Sequence, residues 1–122
     1  MTYPQVISCS VVNTSPTAPY PQPPPSGTPS IVLTGALTTV RLEYAAPSNL
    51  YPVCVSLPAS APAGSIVMVW FPYVTPGSFL VYPAAGDTAQ NSPNALGESG
   101  SGSSVVFIKG VLAANDWAVI AL

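Results

Sequence analysis

Residues 66–71 read Ile-Val-Met-Val-Trp-Phe and are apolar at every position. Such a short run, rich in β-branched and aromatic residues, predicts a strand. Side chains of a strand alternate between the two faces of a sheet, so both faces here need an apolar cover. We predict that one face packs in a core and that the other meets a second subunit, with Trp70 and Phe71 at the interface. The alternative is a central core strand with one aromatic residue at the rim.

Similar runs fill the chain on both sides of this stretch. They are Ile31 to Leu33, Leu37 to Tyr44, Tyr51 to Leu57, Ser65 to Phe71, Ser78 to Tyr82, Ser104 to Lys109 and Trp117 to Leu122. Closely spaced runs separated by Pro, Gly, Ser and Asn, without a convincing helix, predict an all-β fold. We expect residues 31–122 to form one small antiparallel β-sandwich or jelly-roll-like barrel. Residues 87–102 have one large apolar residue, Leu96, and are predicted to be a long surface loop.

The first 30 residues differ in composition and are predicted to form a separate arm. They hold eight of the 16 prolines, which excludes a helix or an inner strand and favours extended polyproline II geometry. Residues 5–12 are rich in β-branched residues, and a strand here would be able to pair with the sheet edge of another chain. The residues predicted to contact a partner through this arm are Tyr3, Val6, Ile7, Tyr20, Pro23, Pro24 and Pro25. The alternatives are an unbound leader and a ligand for an SH3-like groove.

Charge and residue content exclude several classes of function. The 122 residues contain two cations and four anions, with 5% charged and 48% hydrophobic residues, whereas an ordinary soluble domain has about 25% charged residues. Two cations are too few to displace the counterions of DNA or RNA, so no nucleic-acid partner is predicted. The sequence has no His and its carboxylates are scattered, so we expect no enzyme, no metal ion and no cofactor. Asp87 and Thr88 are expected to form a turn rather than a cation site.

The first residues and the two cysteines bear on the compartment. The N-terminal sequence lacks the pattern of a signal peptide, and no apolar run is long enough for a bilayer span, so a cytosolic product without a membrane partner is predicted. Cys9 and Cys54 are expected to be reduced thiols. The alternative is one disulfide between them.

Three segments in series resemble structural proteins of tailed bacteriophages. Residues 53–69 read Val-Cys-Val-Ser-Leu-Pro-Ala-Ser-Ala-Pro-Ala-Gly-Ser-Ile-Val-Met-Val, which is a strand ending in Leu-Pro, a turn of small residues ending in Gly, and an apolar strand. Residues 79–88 continue with Phe-Leu-Val-Tyr-Pro-Ala-Ala-Gly-Asp-Thr, and residues 103–108 and 116–120 are similar to a terminal hairpin whose second strand carries Trp117. The resemblance covers residues 36–122. The family element usually continues as Gly-Asp-Thr-Ile-Asn-Gly, whereas Ala89, Gln90 and Asn91 follow Thr88 here.

The resemblance implies a non-enzymatic capsid decoration, or cement, protein. Such a protein is made in the host cytoplasm and binds the outer surface of the major capsid protein lattice in the virion. We expect a homotrimer that stabilises the shell through its β domain and its N-terminal arm. One alternative is a receptor- or glycan-binding module of a tail fibre, in which Trp70, Tyr73, Tyr82 and Trp117 form a sugar-stacking platform. A structural protein of the tail or its connector is the other alternative.

Overall fold

The computed structural model of the chain describes residues 5–11, 20–33, 35, 37–44, 53–71, 78–99 and 103–121. Nine strands and no helix occur within these ranges, so the predicted all-β fold is confirmed. In chain order the strands are β1 (Gln5–Val11), β2 (Leu37–Tyr44), β3 (Val53–Ser56), β4 (Ile66–Phe71), β5 (Ser78–Tyr82), β6 (Thr88–Ala89), β7 (Leu96–Ser99), β8 (Ser103–Lys109) and β9 (Asp116–Ala121).

These strands form two sheets, as expected for a small β-sandwich and not for a closed barrel. The larger sheet has the order β1-β2-β4-β8-β9-β6, and the smaller sheet has the order β3-β5-β7. The predicted antiparallel pairing occurs in β4-β8, β5-β7 and β8-β9, but both sheets are mixed, because β1-β2, β2-β4, β6-β9 and β3-β5 pair in parallel. Strands that follow one another in the chain alternate between the sheets from β2 to β5. Neighbours within a sheet are therefore often strands that run in the same direction.

The core lies between the two sheets and follows from the alternation of side chains along each strand. In β4, Val67, Val69 and Phe71 are fully buried, whereas Ile66, Met68 and Trp70 are more exposed. The other fully or almost fully buried members of this core include Val40, Leu42, Val53, Val55, Leu57, Phe79, Val81, Val105, Phe107 and Trp117. One face of the 66–71 run therefore packs in the core, as predicted from its sequence.

Residues 20–31, which we call the strap, pack along the smaller sheet, and Tyr20 covers part of its second face. Cys54, Leu80, Tyr82 and Ala95 form a second buried cluster on this face, and Tyr20 packs against it. The carbonyl of Tyr20 accepts a hydrogen bond from the amide of Ala95 at 3.0 Å. This cover explains why β3 is buried at all four positions.

The remainder of the strap is fixed to β3 by backbone hydrogen bonds. The amide of Ser56 donates to Pro29 at 2.9 Å, and the amide of Ile31 donates to Ser56 at 2.9 Å. Strand β1 likewise pairs with β2 of the same chain. The described part of residues 1–30 thus packs on its own chain and does not form an extended arm; β1 is an edge strand, so its pairing with another chain stays a prediction. A polyproline segment has few internal hydrogen bonds, so its direction is set by the surface on which it packs.

Two local predictions are wrong. Residues 31–33 form no strand; Ser30 makes a single bridge to Ser56 instead. The predicted loop over residues 87–102 contains the short strands β6 and β7. Strand pairing requires only backbone donors and acceptors, so small residues such as those of β6 form a ladder when an open edge is close enough.

The buried phenol of Tyr82 gives the fold a pH dependence. Burial raises the pKa of Tyr82 above its ordinary value of 10.0, and the negative charges of ionised Cys54 and Tyr20 raise it further. The fold therefore favours the neutral phenol. This contribution to stability is complete below the unfolded pKa and is lost as the pH rises from about 10 through the higher folded pKa.

We expect the free energy of unfolding to fall as the pH rises above about 10, with a smaller fall in Tyr82→Phe. Urea unfolding at intervals of half a pH unit measures both slopes. Equal slopes for the two proteins would show that another group causes the loss. Tyr20→Phe removes the other tyrosine hydroxyl of this cluster and should change the slope less than Tyr82→Phe, because burial is the largest cause of the raised Tyr82 pKa.

Candidate functional site

The solvent-facing side of the larger sheet is an apolar surface, which we call the outer face. The strand register arranges its described side chains in three rows that cross β2, β4, β8 and β9. The first row is Leu37, Ile66, Ile108 and Ala118; the second is Thr39, Met68, Val106 and Ile120; the third is Arg41, Trp70 and Ser104. Eight of these side chains are apolar, and Arg41 is the one that carries a charge.

Three of the apolar side chains of the outer face are well exposed. Leu37 is 39% exposed, Trp70 is 37% exposed and Ile120 is 48% exposed. The guanidinium of Arg41 lies 5.8 Å from the centre of the Trp70 ring, within the range of a cation–π interaction. Contiguous apolar surface of this kind marks an interaction site on a soluble protein.

The two residues predicted at a subunit interface lie on opposite faces of β4. Trp70 belongs to the outer face, so a second subunit would be able to contact it. Phe71 is completely buried, and its ring packs edge-on against Phe79 with centroids 6.2 Å apart. Phe71 offers no surface to a partner in this fold, in contrast to the interface role predicted for it. Adjacent positions in a strand point to opposite sides, so the pair was unable to share one interface.

The structure separates the residues predicted for partner contact in the arm. Tyr20, Pro24 and Pro25 are half-buried in the strap, whereas Pro23 is exposed. Val6 and Ile7 are in β1, where they pair with Thr39 and Val40 of β2. Tyr3 lies outside the described residues, and so does Tyr73 of the predicted aromatic platform.

A groove of about 390 Å³ runs beside the C-terminal end of the strap. We call it the strap groove. Its lining is formed by Ile31, Val32 and Leu33 on one side and by residues 58–62 on the other. Val32 is 65% exposed at this position. The groove is short and mainly apolar, which suits an aliphatic side chain or a short extended segment of a partner.

A buried ion pair lies where β8, β9 and the start of β6 meet. The Lys109 ammonium is 2.5 Å from a carboxylate oxygen of Asp87, and the two side chains are 4% and 15% exposed. The same ammonium lies 5.2 Å from the centre of the fully buried Trp117 ring. The pair joins the turn before β6 to the β8–β9 hairpin.

Asp116 makes a second polar connection at the same place. Its Oδ1 accepts hydrogen bonds from the Thr88 hydroxyl at 2.5 Å and from the Asn91 amide at 2.9 Å. The side chain is completely buried. These two connections, which we call the polar cluster, hold the turn around residues 86–91 against β9. The predicted turn role of Asp87 and Thr88 therefore rests on contacts with distant residues as well as with local backbone.

Sequence reasoning missed the polar cluster, because it treated the carboxylates as scattered. Lys109 and Asp87 are 22 residues apart in the chain. One signal was available: a lysine inside an otherwise apolar strand is seldom buried without a charged partner. This signal predicts that Lys109 has a charged partner, but it does not identify Asp87.

Two rings of the predicted sugar platform are buried. Within the described ranges, no three His, Cys, Asp or Glu side chains are grouped as metal ligands would be. Trp117 and Tyr82 of the predicted sugar platform are 0% and 1% exposed, so neither ring is able to stack on a sugar. Trp70 remains accessible. Cys54 is a buried thiol.

Comparisons with protein-family models, curated proteins and solved structures find no match to this chain. In the part of the chain that the structure describes, no helix has the length and apolar character needed to cross a membrane. The candidate site therefore has to be interpreted from its own chemistry.

Proposed function

We propose that this chain is a non-enzymatic structural protein of a virion, which decorates the outer surface of the capsid and stabilises the shell. The observation that carries the proposal is the scarcity of charged residues in the chain. Only six of the 122 residues are charged, and three of them, Asp87, Lys109 and Asp116, belong to the polar cluster. Soluble proteins that work alone carry several times more surface charge.

A neutral apolar surface suits a subunit that works in a crowded lattice. Little charge means little repulsion between many copies held side by side. The resemblance of residues 36–122 to phage structural proteins supports the same role. In this proposal the protein acts by adding buried surface at capsid joints, which raises the free energy of shell disassembly.

We assign the capsid contact to the strap and the strap groove. The strap is continuous with the groove, and the exposed Pro23 and Val32 lie at its surface. Proline-rich segments lose little conformational entropy on binding, because their backbone is already restricted. The major capsid protein is the proposed partner, bound through an apolar side chain or loop.

The test is binding to capsids of the virus that encodes the chain. Purified protein is mixed with capsids, separated on a density gradient, and located by electron microscopy. We expect saturable binding over the capsid lattice and a higher temperature of shell disruption. Val32→Asp should reduce occupancy at least tenfold, whereas Leu112→Asp, at another exposed apolar position, should not.

Other outcomes would contradict the proposal. Binding at the portal vertex or tail would support a connector or tail protein. Binding to host surface glycans without capsid binding would support a receptor-binding module that uses Trp70. Equal occupancy by both Asp variants would remove the strap groove from the interface.

A further inference from the structure

We infer that a second copy of this chain covers the outer face of the larger sheet. This inference goes beyond the proposed function and does not depend on it. It concerns the association of free protein, before or without a capsid. The surface involved is distinct from the strap groove, which lies beside the smaller sheet and the turn after β3.

The first argument is that the second face of the smaller sheet is partly covered by the chain, whereas that of the larger sheet is exposed. The smaller sheet has its core-facing side in the sandwich and its other side under Tyr20 of the strap. The larger sheet has a comparable apolar composition on its outer face, yet Trp70 and Ile120 are well exposed there. A sheet with two apolar faces requires a second layer of cover, and here the chain supplies that layer for the smaller sheet.

The second argument is the area. The six strands of the larger sheet are about 4.8 Å apart and average about six residues, β6 having two, which gives a face of roughly 600 Å². Two such faces in contact would bury about 1,200 Å², which reaches the lower limit of a specific interface. The outer face is therefore large enough for a pair of copies. Two β-sheets pack face to face at a small angle or nearly at right angles.

The third argument is charge. Among the described outer-face side chains, Arg41 is the charged one, and its guanidinium lies over Trp70 near one end of β4. The central row places Met68 and Val106 next to each other and Ile120 beside Val106, with no charge among them. A partner for such a surface has to be equally uncharged, because burying an unpaired charge is costly. A second copy meets this requirement with its own outer face.

A specific pair of variants tests the inference. Ile120→Lys introduces a charge into the central row at a position that is 48% exposed, so the monomer is able to solvate it. Leu112→Lys makes the same type of change at a position that is 69% exposed, in the turn between β8 and β9 and outside the three rows of the outer face. Light scattering coupled to size exclusion gives the mass of each protein over a range of concentrations.

We expect an oligomer for the natural sequence and for Leu112→Lys. Ile120→Lys should raise the dissociation constant at least about 100-fold, since a buried unpaired charge opposes association. Trp70→Ala, which introduces no charge, should raise it about 30-fold. Circular dichroism of each variant reports whether the β-fold is retained.

Three results would overturn the inference. They are a monomer for the natural sequence at all concentrations, an oligomer that Ile120→Lys and Trp70→Ala leave unchanged, and an oligomer that Leu112→Lys dissociates as readily. A failure of capsid binding with an intact oligomer would instead count against the proposed function alone. The two proposals are therefore separable.

Discussion

Asp87→Asn is expected to destabilise the fold by about 3 kcal/mol, because it leaves the Lys109 ammonium buried without its carboxylate. The ammonium is 2.5 Å from Asp87, and the lysine side chain is 4% exposed. Trp117 contributes a cation–π contact at 5.2 Å but supplies no negative charge. Urea unfolding at neutral pH measures the change.

A double-mutant cycle distinguishes the ion pair from a simple loss of packing. Lys109→Met removes the charge and keeps most of the stem, and the remaining Asp87 carboxylate is closer to solvent. We expect the double variant Asp87→Asn with Lys109→Met to be more stable than Asp87→Asn alone, since no buried charge is left. Additivity of the two single changes within about 0.5 kcal/mol would show that the pair is not coupled.

Trp117→Ala should cost about 3–5 kcal/mol, which is the other large effect we expect. Trp117 is completely buried and belongs to the core between the sheets. Its removal leaves a cavity and takes away the ring beside Lys109. Urea unfolding against Leu112→Ala, which truncates a 69% exposed side chain, is the comparison.

This change also tests the glycan-binding alternative. A binding platform that uses Trp117 predicts a variant that folds normally and loses its ligand. The structure instead predicts an unstable variant, because the ring is 0% exposed. A Trp117→Ala protein with the stability of the natural sequence would contradict the core position. Trp117→Phe should lose less stability, because it retains an aromatic ring in the core.

The strands could be predicted from the sequence more reliably than their partners. The runs that became β2, β3, β4, β5, β8 and β9 are apolar or alternating, and their periodicity is a local property. The order β1-β2-β4-β8-β9-β6 pairs segments that are far apart in the chain. Parallel neighbours arise because the chain crosses between sheets, and no local pattern encodes such a crossing.

The interface prediction for Trp70 and Phe71 also separates what a local pattern predicts from what distant contacts decide. The apolar run at 66–71 indicated that both faces of the strand needed cover. The sequence of the run did not show whether the face with Trp70 or the face with Phe71 packs in the core. The structure assigns Phe71 to the core and leaves Trp70 on the outer face.

The sequence by itself determined that the chain is all-β, that it has few charged residues, and that its first 30 residues are rich in proline. These are properties of composition and of local spacing. Only the tertiary structure decided that Tyr20 of the strap packs on the smaller sheet and that Lys109 pairs with Asp87. It also decided that apolar side chains of the outer face are exposed. Each of these depends on contacts between distant segments, whose free energies arise from burial and pairing after the chain has closed on itself.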